Sequence, residues 1–115
     1  MESFKFTIVT PEALVFDERV DGVNVPGAEG RLGILAHHAP LIAAVKAGVV
    51  SLQMGEAQRF FAVGESFVEV RDNVVTLLAD SAVEAPSQAS ARKLLIPESQ
   101  LAPDQRPSSS TLVFD

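Results

Sequence analysis

The sequence predicts an all-β protein, a sandwich or barrel of short strands. Segments rich in Val, Ile, Phe and Thr recur along residues 4–79, and several of them alternate apolar and polar side chains. That alternation is the period of a half-buried strand. Turn-favouring residues separate the segments at spacings of about 8–12 residues, which is typical of sandwiches and barrels.

Length, composition and charge limit the class of protein. With 115 residues, of which 47% are hydrophobic, the chain is long enough for one domain with a modest core. It has no cysteine, which excludes disulfides and thiolate chemistry. The formal net charge of −6 argues against binding to nucleic acid or directly to anionic lipid.

Nothing in the sequence predicts insertion into a membrane. The longest unbroken apolar run is residues 41–45, far shorter than the roughly 18–20 residues that a spanning helix needs. The first residues also lack the basic and apolar regions of a secretory signal. If the protein works at a membrane, we therefore expect partners to hold it there.

The N-terminal third reads as strands broken by turns. Residues 4–8 alternate and predict a strand, and residues 10–12, Thr-Pro-Glu, end it with a turn. Residues 14–16 form a short apolar segment, and residues 17–19, Asp-Glu-Arg, predict a solvated loop. Residues 20–25 predict the next strand.

A glycine-rich segment at residues 25–41 follows. Gly27, Gly30 and Gly33 are spaced by three, which matches neither a dinucleotide-binding motif nor a phosphate loop. Because glycine is favoured where the backbone turns sharply or approaches another strand, these three glycines and Pro40 predict turns and a bend. Structural turns, not a catalytic loop, are the prediction here.

The middle of the chain predicts a hairpin. Residues 39–47 predict a strand or irregular structure in preference to a helix, since they show no helical period. Residues 49–54 alternate, and Gly55 with Glu56 fits a two-residue turn that leads into a return strand at residues 57–63.

Two further turns are predicted after that strand. Gly64 and Glu65 fit a second two-residue hairpin turn. Residues 66–70 and 74–79 predict strands that flank a turn at Asp72 and Asn73, residue types that tolerate left-handed backbone geometry.

The character of the chain changes after Pro86. Residues 1–86 hold 6 basic and 12 acidic residues, whereas residues 87–115 hold 3 of each. We therefore predict a β-domain at 1–86 and a short tail at 87–115. Residues 87–96 predict two or three helical turns capped by Ser87, and the following Pro- and Ser-rich residues predict flexibility.

No residue pattern predicts catalysis, a cofactor or a metal. His37 and His38 are the only histidines, and adjacent residues on a strand point to opposite faces, so the two cannot easily share one ion. No Gly-x-Ser-x-Gly motif is present. The neighbouring acids Asp17 and Glu18 are better explained as solvated surface than as a catalytic pair.

The glycine-rich segment carries a family resemblance. Its pattern Val-Pro-Gly-x-Glu-Gly-x-Leu-Gly-Ile-Leu-x-x-His-Ala-Pro-Leu resembles the signature of the epsilon subunit of the rotary F-type ATP synthase. The resemblance covers residues 1–86. The other matching segments, in the family's order, are residues 6–12, 48–50, 60–64, 67–70 and 75–80.

This resemblance implies a flattened β-sandwich of about ten strands that performs no bond chemistry. It implies a rotor subunit at the foot of the central stalk of a proton-translocating enzyme, where it links the gamma subunit to the membrane c-ring and couples rotation to ATP synthesis. The catalytic head would be an indirect partner. The implied location is the cytoplasmic face of a bacterial plasma membrane, held there through partners, rather than a mitochondrion or plastid.

The resemblance also assigns interface residues. Glu29, Arg31 and His38 match positions near the c-ring, and Thr10 matches a position that faces gamma. Arg31 stands where the family is often acidic, and His37 stands where a glycine is usual.

The tail departs from the family pattern. Bacterial members usually end in two long helices that can enter the catalytic head and block ATP hydrolysis, whereas residues 87–115 contain three prolines. We therefore expect this inhibitory brake to be absent or reduced. The alternative function is a free-standing β-sandwich module that binds a small ligand or peptide.

Overall fold

A computed structural model describes residues 2–95 and shows ten strands and one helix. The all-β prediction is confirmed. The elements are β1 (Phe4–Val9), β2 (Leu14–Val20), β3 (Gly22–Gly27), β4 (Gly30–Leu35), β5 (Leu41–Val45), β6 (Gly48–Met54), β7 (Ala57–Val63), β8 (Ser66–Arg71), β9 (Val74–Ala79), β10 (Ala82–Ala85) and α1 (Gln88–Leu95).

The strands form one sheet that folds into a sandwich. The order is β10-β7-β6-β3-β5-β8-β9-β1-β2, with β4 on the other edge of β3. Strand β3 joins the two halves, because it pairs with β6 through Gly22 to Asn24 and with β5 at Gly27. One half therefore holds β10, β7, β6, β3 and β4, and the other holds β5, β8, β9, β1 and β2.

All strands run between two ends of the sandwich. The β3–β4 turn, with Glu29, lies at one end, which we call the Glu29 end. The β4–β5 loop, with His38, lies at the other, which we call the His38 end. Strand pairing places the β1–β2 turn at the Glu29 end and the β8–β9 turn at the His38 end.

The core lies between the two halves and is built from one face of each strand. Strand β8 alternates buried and exposed residues along its whole length, as its period of two requires. Three rings stack in series at the centre: Phe6 and Phe16 lie 6.0 Å apart, and Phe16 and Phe61 lie 5.5 Å apart in an edge-to-face arrangement.

Two predicted hairpins are confirmed. Gly55 has φ 62° and closes the β6–β7 pair, in which Met54 lies opposite Ala57. Asp72 and Asn73 have φ 53° and 61° and close the β8–β9 pair. In the β8–β9 turn both central residues are left-handed, a geometry that matches the twist of the flanking strands and that Asp and Asn tolerate.

Two other local predictions are wrong. Residues 17–19 belong to strand β2, because they pair with residues 5–7 of β1 at an edge where charged side chains reach solvent. Gly64 and Glu65 do not close a hairpin, because β7 and β8 belong to different halves of the sandwich. The Gly64 amide instead donates to the Ser81 carbonyl, and the Glu65 carbonyl accepts from the Asp80 amide, in the segment where the chain returns from β9 to β10.

Helix α1 covers the outer face of the β6, β7 and β10 half. Ser87 caps it, since its Oγ accepts a hydrogen bond from the Ser90 amide at 3.1 Å. Ala91 is fully buried and packs with Val49, Ala62 and Ala85. The predicted stop at Pro97 and the flexible residues after it lie outside the described residues.

Arg59 links β10 and β2, the first and last strands in the sheet order. From β7 its guanidinium donates two hydrogen bonds to Glu84 on β10, both at 2.7 Å, and one to Glu18 on β2 at 3.3 Å. It also lies 4.9 Å from the centre of the Phe16 ring. This clasp bridges the seam between β10 and β2. The hydrogen bonds from Arg59 lower the pKa of Glu84.

We expect the clasp to make stability sensitive to acid. The pKa of Glu84 is lower in the folded protein than its ordinary 4.5, so the unfolded chain takes up a proton first as the pH falls below that value. The free energy of unfolding should therefore drop, by at most about 1 kcal/mol because the pair is partly exposed. Urea unfolding at pH 7 and pH 3.5 measures this loss. Arg59→Met and Glu84→Gln should each reduce it, and an undiminished loss in both variants would contradict the role of the clasp.

Candidate functional site

An apolar band crosses the outer face of the β5-β8-β9-β1-β2 half near the Glu29 end. Pairing places Ala44 opposite Phe67, Phe67 opposite Leu78, Leu78 beside Val9, and Val9 opposite Leu14. Phe67, Leu78 and Leu14 are 59%, 54% and 60% exposed. Large apolar side chains in one continuous exposed row mark an interaction surface more often than a free one.

Sequence reasoning missed the band, although a signal for it exists. Phe67 and Leu78 occupy the outward positions of strands whose inward positions are also apolar, such as Val68 and Leu77. A strand with one solvated face normally alternates apolar and polar residues. Apolar residues on both faces indicate that the outer face is also covered.

A groove of about 630 Å³ borders the band at the Glu29 end. Phe67, Leu78 and Ala44 form part of its apolar lining, and Glu65 and Asp80 also line it. Its volume is in the range of ligand pockets, but it is continuous with the band. Both features therefore belong to one surface.

The Glu29 end is acidic. Glu12, Glu29, Glu65 and Asp80 lie exposed in the turns and crossings at this end. Lys46 is exposed there as well, between β5 and β6. A partner at this end therefore meets a surface on which acidic side chains predominate.

Two of the predicted turn glycines build the tip of the β3–β4 hairpin. Gly27 pairs with Gly30, and Ala28 and Glu29 form the turn between them. Gly30 has φ 131°, a conformation that favours glycine. Gly33, by contrast, lies inside β4 opposite Asn24, so it is a strand residue and not a turn. Pro40 directly precedes β5 at the other end.

Gly27→Ala should destabilise the protein by about 1–3 kcal/mol, the usual cost of overpacking. A Cβ on Gly27 would lie 2.6 Å from the carbonyl oxygen of Gly30, a backbone atom that cannot move aside cheaply. Gly33→Ala is the matched control, since its Cβ would meet only the Asn24 amide nitrogen, at 4.0 Å. Thermal unfolding compares the two variants, and equal melting temperatures would contradict the close approach at Gly27.

The Arg31 side chain turns back over the sheet. Its Nε donates to the Asn24 side-chain oxygen, and its Nη2 donates to the Val49 carbonyl oxygen at 3.1 Å. A longer contact, at 3.4 Å, joins Nη2 to the Asn24 carbonyl oxygen. The guanidinium therefore spans β4, β3 and β6.

The two histidines lie at the other end. His37 has φ 62°, its amide donates to Asn73 Oδ1 at 2.7 Å, and its ring Nε2 lies 3.1 Å from a Glu2 oxygen. His38 Nδ1 lies 2.8 Å from the Ala39 carbonyl oxygen. Within residues 2–95, no three His, Asp or Glu side chains come together as a metal site would require.

Thr10 begins the β1–β2 turn, next to the band. Its amide donates to the Ala13 carbonyl at 2.9 Å, and its hydroxyl accepts from the Ala13 amide at 3.2 Å. This turn brings Leu14 back beside Val9. Thr10 thus lies at the edge of the exposed apolar row.

The structure does not bring Glu29, Arg31 and His38 together. Glu29 and Arg31 belong to the hairpin at one end, whereas His38 follows β4 at the other. Strand β4 has six residues, so at roughly 3.3 Å per residue the two sites lie about 20 Å apart. A flat partner at the Glu29 end would contact Glu29 without contacting His38.

The sequence of the strand-forming region matches a known protein family. Residues 3–85 match the profile of the β-sandwich domain of the ATP synthase delta/epsilon chain. The chain belongs to this family. Membership of the delta/epsilon chain family agrees with the resemblance found in the glycine-rich segment, and the family's β-sandwich is the fold described above.

Individual relatives of this chain are ATP synthase epsilon chains. An ATP synthase epsilon chain of Desulforamulus reducens is 46% identical over 81 residues, which cover 70% of this chain and 61% of the relative. One from Rhodopseudomonas palustris is 38% identical over 108 residues, which cover 91% of this chain and 80% of the relative. The chain spans less than two thirds of the length of the Desulforamulus reducens relative, at 61%, and of a second Rhodopseudomonas palustris relative, from strain TIE-1, at 64%.

Chains in two solved ATP synthase structures share the fold. A chain in the mitochondrial ATP synthase of Euglena gracilis aligns with TM-score 0.70 at 21% identity, covering 95% of this chain and 70% of that chain. A chain in the central stalk and c-ring structure from Tetrahymena thermophila aligns with TM-score 0.62 at 12% identity, covering 99% and 81%. Identities this low show the fold alone.

Proposed function

We propose that this chain is a non-catalytic central-stalk subunit of a proton-translocating F-type ATP synthase. In this role it links the gamma subunit to the membrane c-ring, so that rotation of the ring is coupled to ATP synthesis in the head. Family membership supports the complex, and the exposed apolar band is the structural observation that supports a permanent protein partner.

The band suits a contact with gamma. Burial of Phe67, Leu78 and Leu14 would remove their apolar surface from water, at about 25 cal/mol per Å². Thr10, which the resemblance to the family assigns to the gamma side, lies at the edge of the same surface. Gamma would therefore cover the outer face of this half of the sandwich.

The Glu29 end suits a contact with the c-ring. It presents exposed acidic side chains on short turns, and polar groups of this kind give specificity to a contact. Among residues 2–95, no helix has the length and apolar character to cross a bilayer. We propose that its partners hold the chain at the cytoplasmic face of a bacterial plasma membrane.

Co-migration with the catalytic head tests this proposal. The full chain should elute from size exclusion in a one-to-one complex with cognate head particles that contain gamma, and not with particles that lack gamma. Separate elution at micromolar concentration would contradict the proposal. It would favour the alternative, a free-standing module whose ligand occupies the groove between Phe67 and Leu78.

We also infer that residues 96–115 provide at most a reduced inhibitory brake. Because Ala91 is buried against the sandwich, truncation after Leu95 is a cleaner test than removal of the whole tail. Deletion of residues 96–115 should leave ATP hydrolysis by the assembled enzyme within about twofold of wild type. A tenfold rise would show that these residues inhibit.

A further inference from the structure

Arg31 lies at an interruption of the strand ladder. On one edge of β3, Pro26 pairs directly with Arg31 of β4. On the other edge, Gly22, Val23 and Asn24 pair with Gln53, Leu52 and Ser51 of β6. Continuing this register by two residues would place Pro26 opposite Val49.

Proline cannot continue that ladder. The Pro26 carbonyl faces the β5–β6 edge, since it accepts a hydrogen bond from the Lys46 amide at 3.0 Å. Its nitrogen faces the same edge but carries no hydrogen, so it cannot donate to the Val49 carbonyl. A buried carbonyl left without a donor costs free energy.

Arg31 supplies the missing donor. Its Nη2 reaches across Pro26 to the Val49 carbonyl oxygen at 3.1 Å, and its Nε is held by Asn24 on the way. The Arg31 side chain lies on the same face of the hairpin as the Asn24 side chain. One guanidinium thus ties the hairpin to β6 at the position where the backbone cannot.

We propose that Arg31 is a positioning residue that replaces the hydrogen bond Pro26 cannot make, and not a contact residue for the partner. It fixes the hairpin whose turn carries Glu29. Because the positive charge of Arg31 is held over β3, the turn itself presents only the negative charge of Glu29. The consequence for the partner rests on the proposed function, whereas the role in the hairpin does not.

A double-mutant cycle tests the hairpin role in the isolated full chain. Arg31→Met keeps roughly the length of the side chain but removes every donor. It should lower the equilibrium constant for folding about tenfold. Pro26→Val restores a backbone amide at the same place. In the Pro26→Val background, Arg31→Met should lower the equilibrium constant for folding by less than about threefold. An equal decrease in both backgrounds would overturn the proposal.

Hydrogen exchange localises the effect. The Ala28 amide donates to the Ala44 carbonyl at 3.0 Å, so its protection reports whether the hairpin is docked. Arg31→Met should speed exchange at Ala28 roughly tenfold, and the double variant should restore protection. Unchanged exchange at Ala28 in Arg31→Met would contradict the proposal.

Binding of the same variants to rotor that contains both gamma and the c-ring separates positioning from contact. If Arg31 only positions the hairpin, the double variant binds as wild type does, although Arg31→Met alone binds less tightly. If Arg31 contacts the partner, the double variant stays weak despite its restored hairpin. If the wild-type chain itself does not bind, the proposed function fails, and the stability cycle still decides the role of Arg31.

Discussion

Phe67→Glu is expected to weaken binding to gamma-containing particles by about 100-fold or more, because truncating a central interface aromatic alone costs about 2 kcal/mol. Phe67 is the only aromatic residue of the apolar band, lies between Ala44 and Leu78, and is 59% exposed in the chain alone. A carboxylate buried in that interface would lose its hydration without gaining a partner. Titration of labelled chain with gamma-containing particles measures the loss.

The isolated chain should remain folded in this variant, since an exposed substitution usually changes stability by less than about 0.5 kcal/mol. Val83→Glu is the matched control, because Val83 is 55% exposed but lies on β10, in the other half of the sandwich. It adds the same charge away from the band and should bind normally. Wild-type affinity in Phe67→Glu would exclude the band as the gamma contact.

Phe61→Ala should destabilise the fold by about 3–5 kcal/mol, the usual range for a buried phenylalanine. Phe61 is 1% exposed and packs edge-to-face on Phe16 at 5.5 Å. Because small domains have only about 5–15 kcal/mol of stability in total, this loss should bring the chain close to unfolding. Urea unfolding followed by circular dichroism gives the difference.

Phe67→Ala serves as the control for this deletion. It removes the same atoms from an exposed position, so the free energy of unfolding should change by about 0.5 kcal/mol at most. Similar losses in both variants would mean that Phe61 is not part of a packed core. The comparison also separates the two functions of phenylalanine in this chain, core packing and partner contact.

Local features were predictable from the sequence because their causes are local. Gly55 and the pair Asp72 and Asn73 require left-handed backbone, so their residue types alone predicted the turns. The same holds for the cap at Ser87, whose bond spans three residues. The predicted turn at Gly55 and Glu56 likewise led to the return strand at 57–63 with its observed bounds.

Features that depend on distant strands were not predictable in this way. Residues 17–19 resemble a loop because three charged residues adjoin, yet Glu18 faces Arg59, 41 residues later. The direction of Arg31 depends on Val49, 18 residues later. The separation of Glu29 from His38 follows from the length of β4, which the family motif does not express.

The seam bridged by Arg59 has a mechanical consequence. A closed tube resists torsion far better than a tube of the same wall that is slit along its length. The sheet runs continuously from β10 to β2 through β3, and the slit is crossed by the Arg59 hydrogen bond to Glu18 and by the packing of Phe16 on Phe61. In the proposed role, in which the chain transmits torque from a ring to a shaft, these contacts would add to the torsional stiffness, and we expect Arg59→Met to soften the coupling even where it leaves the fold intact.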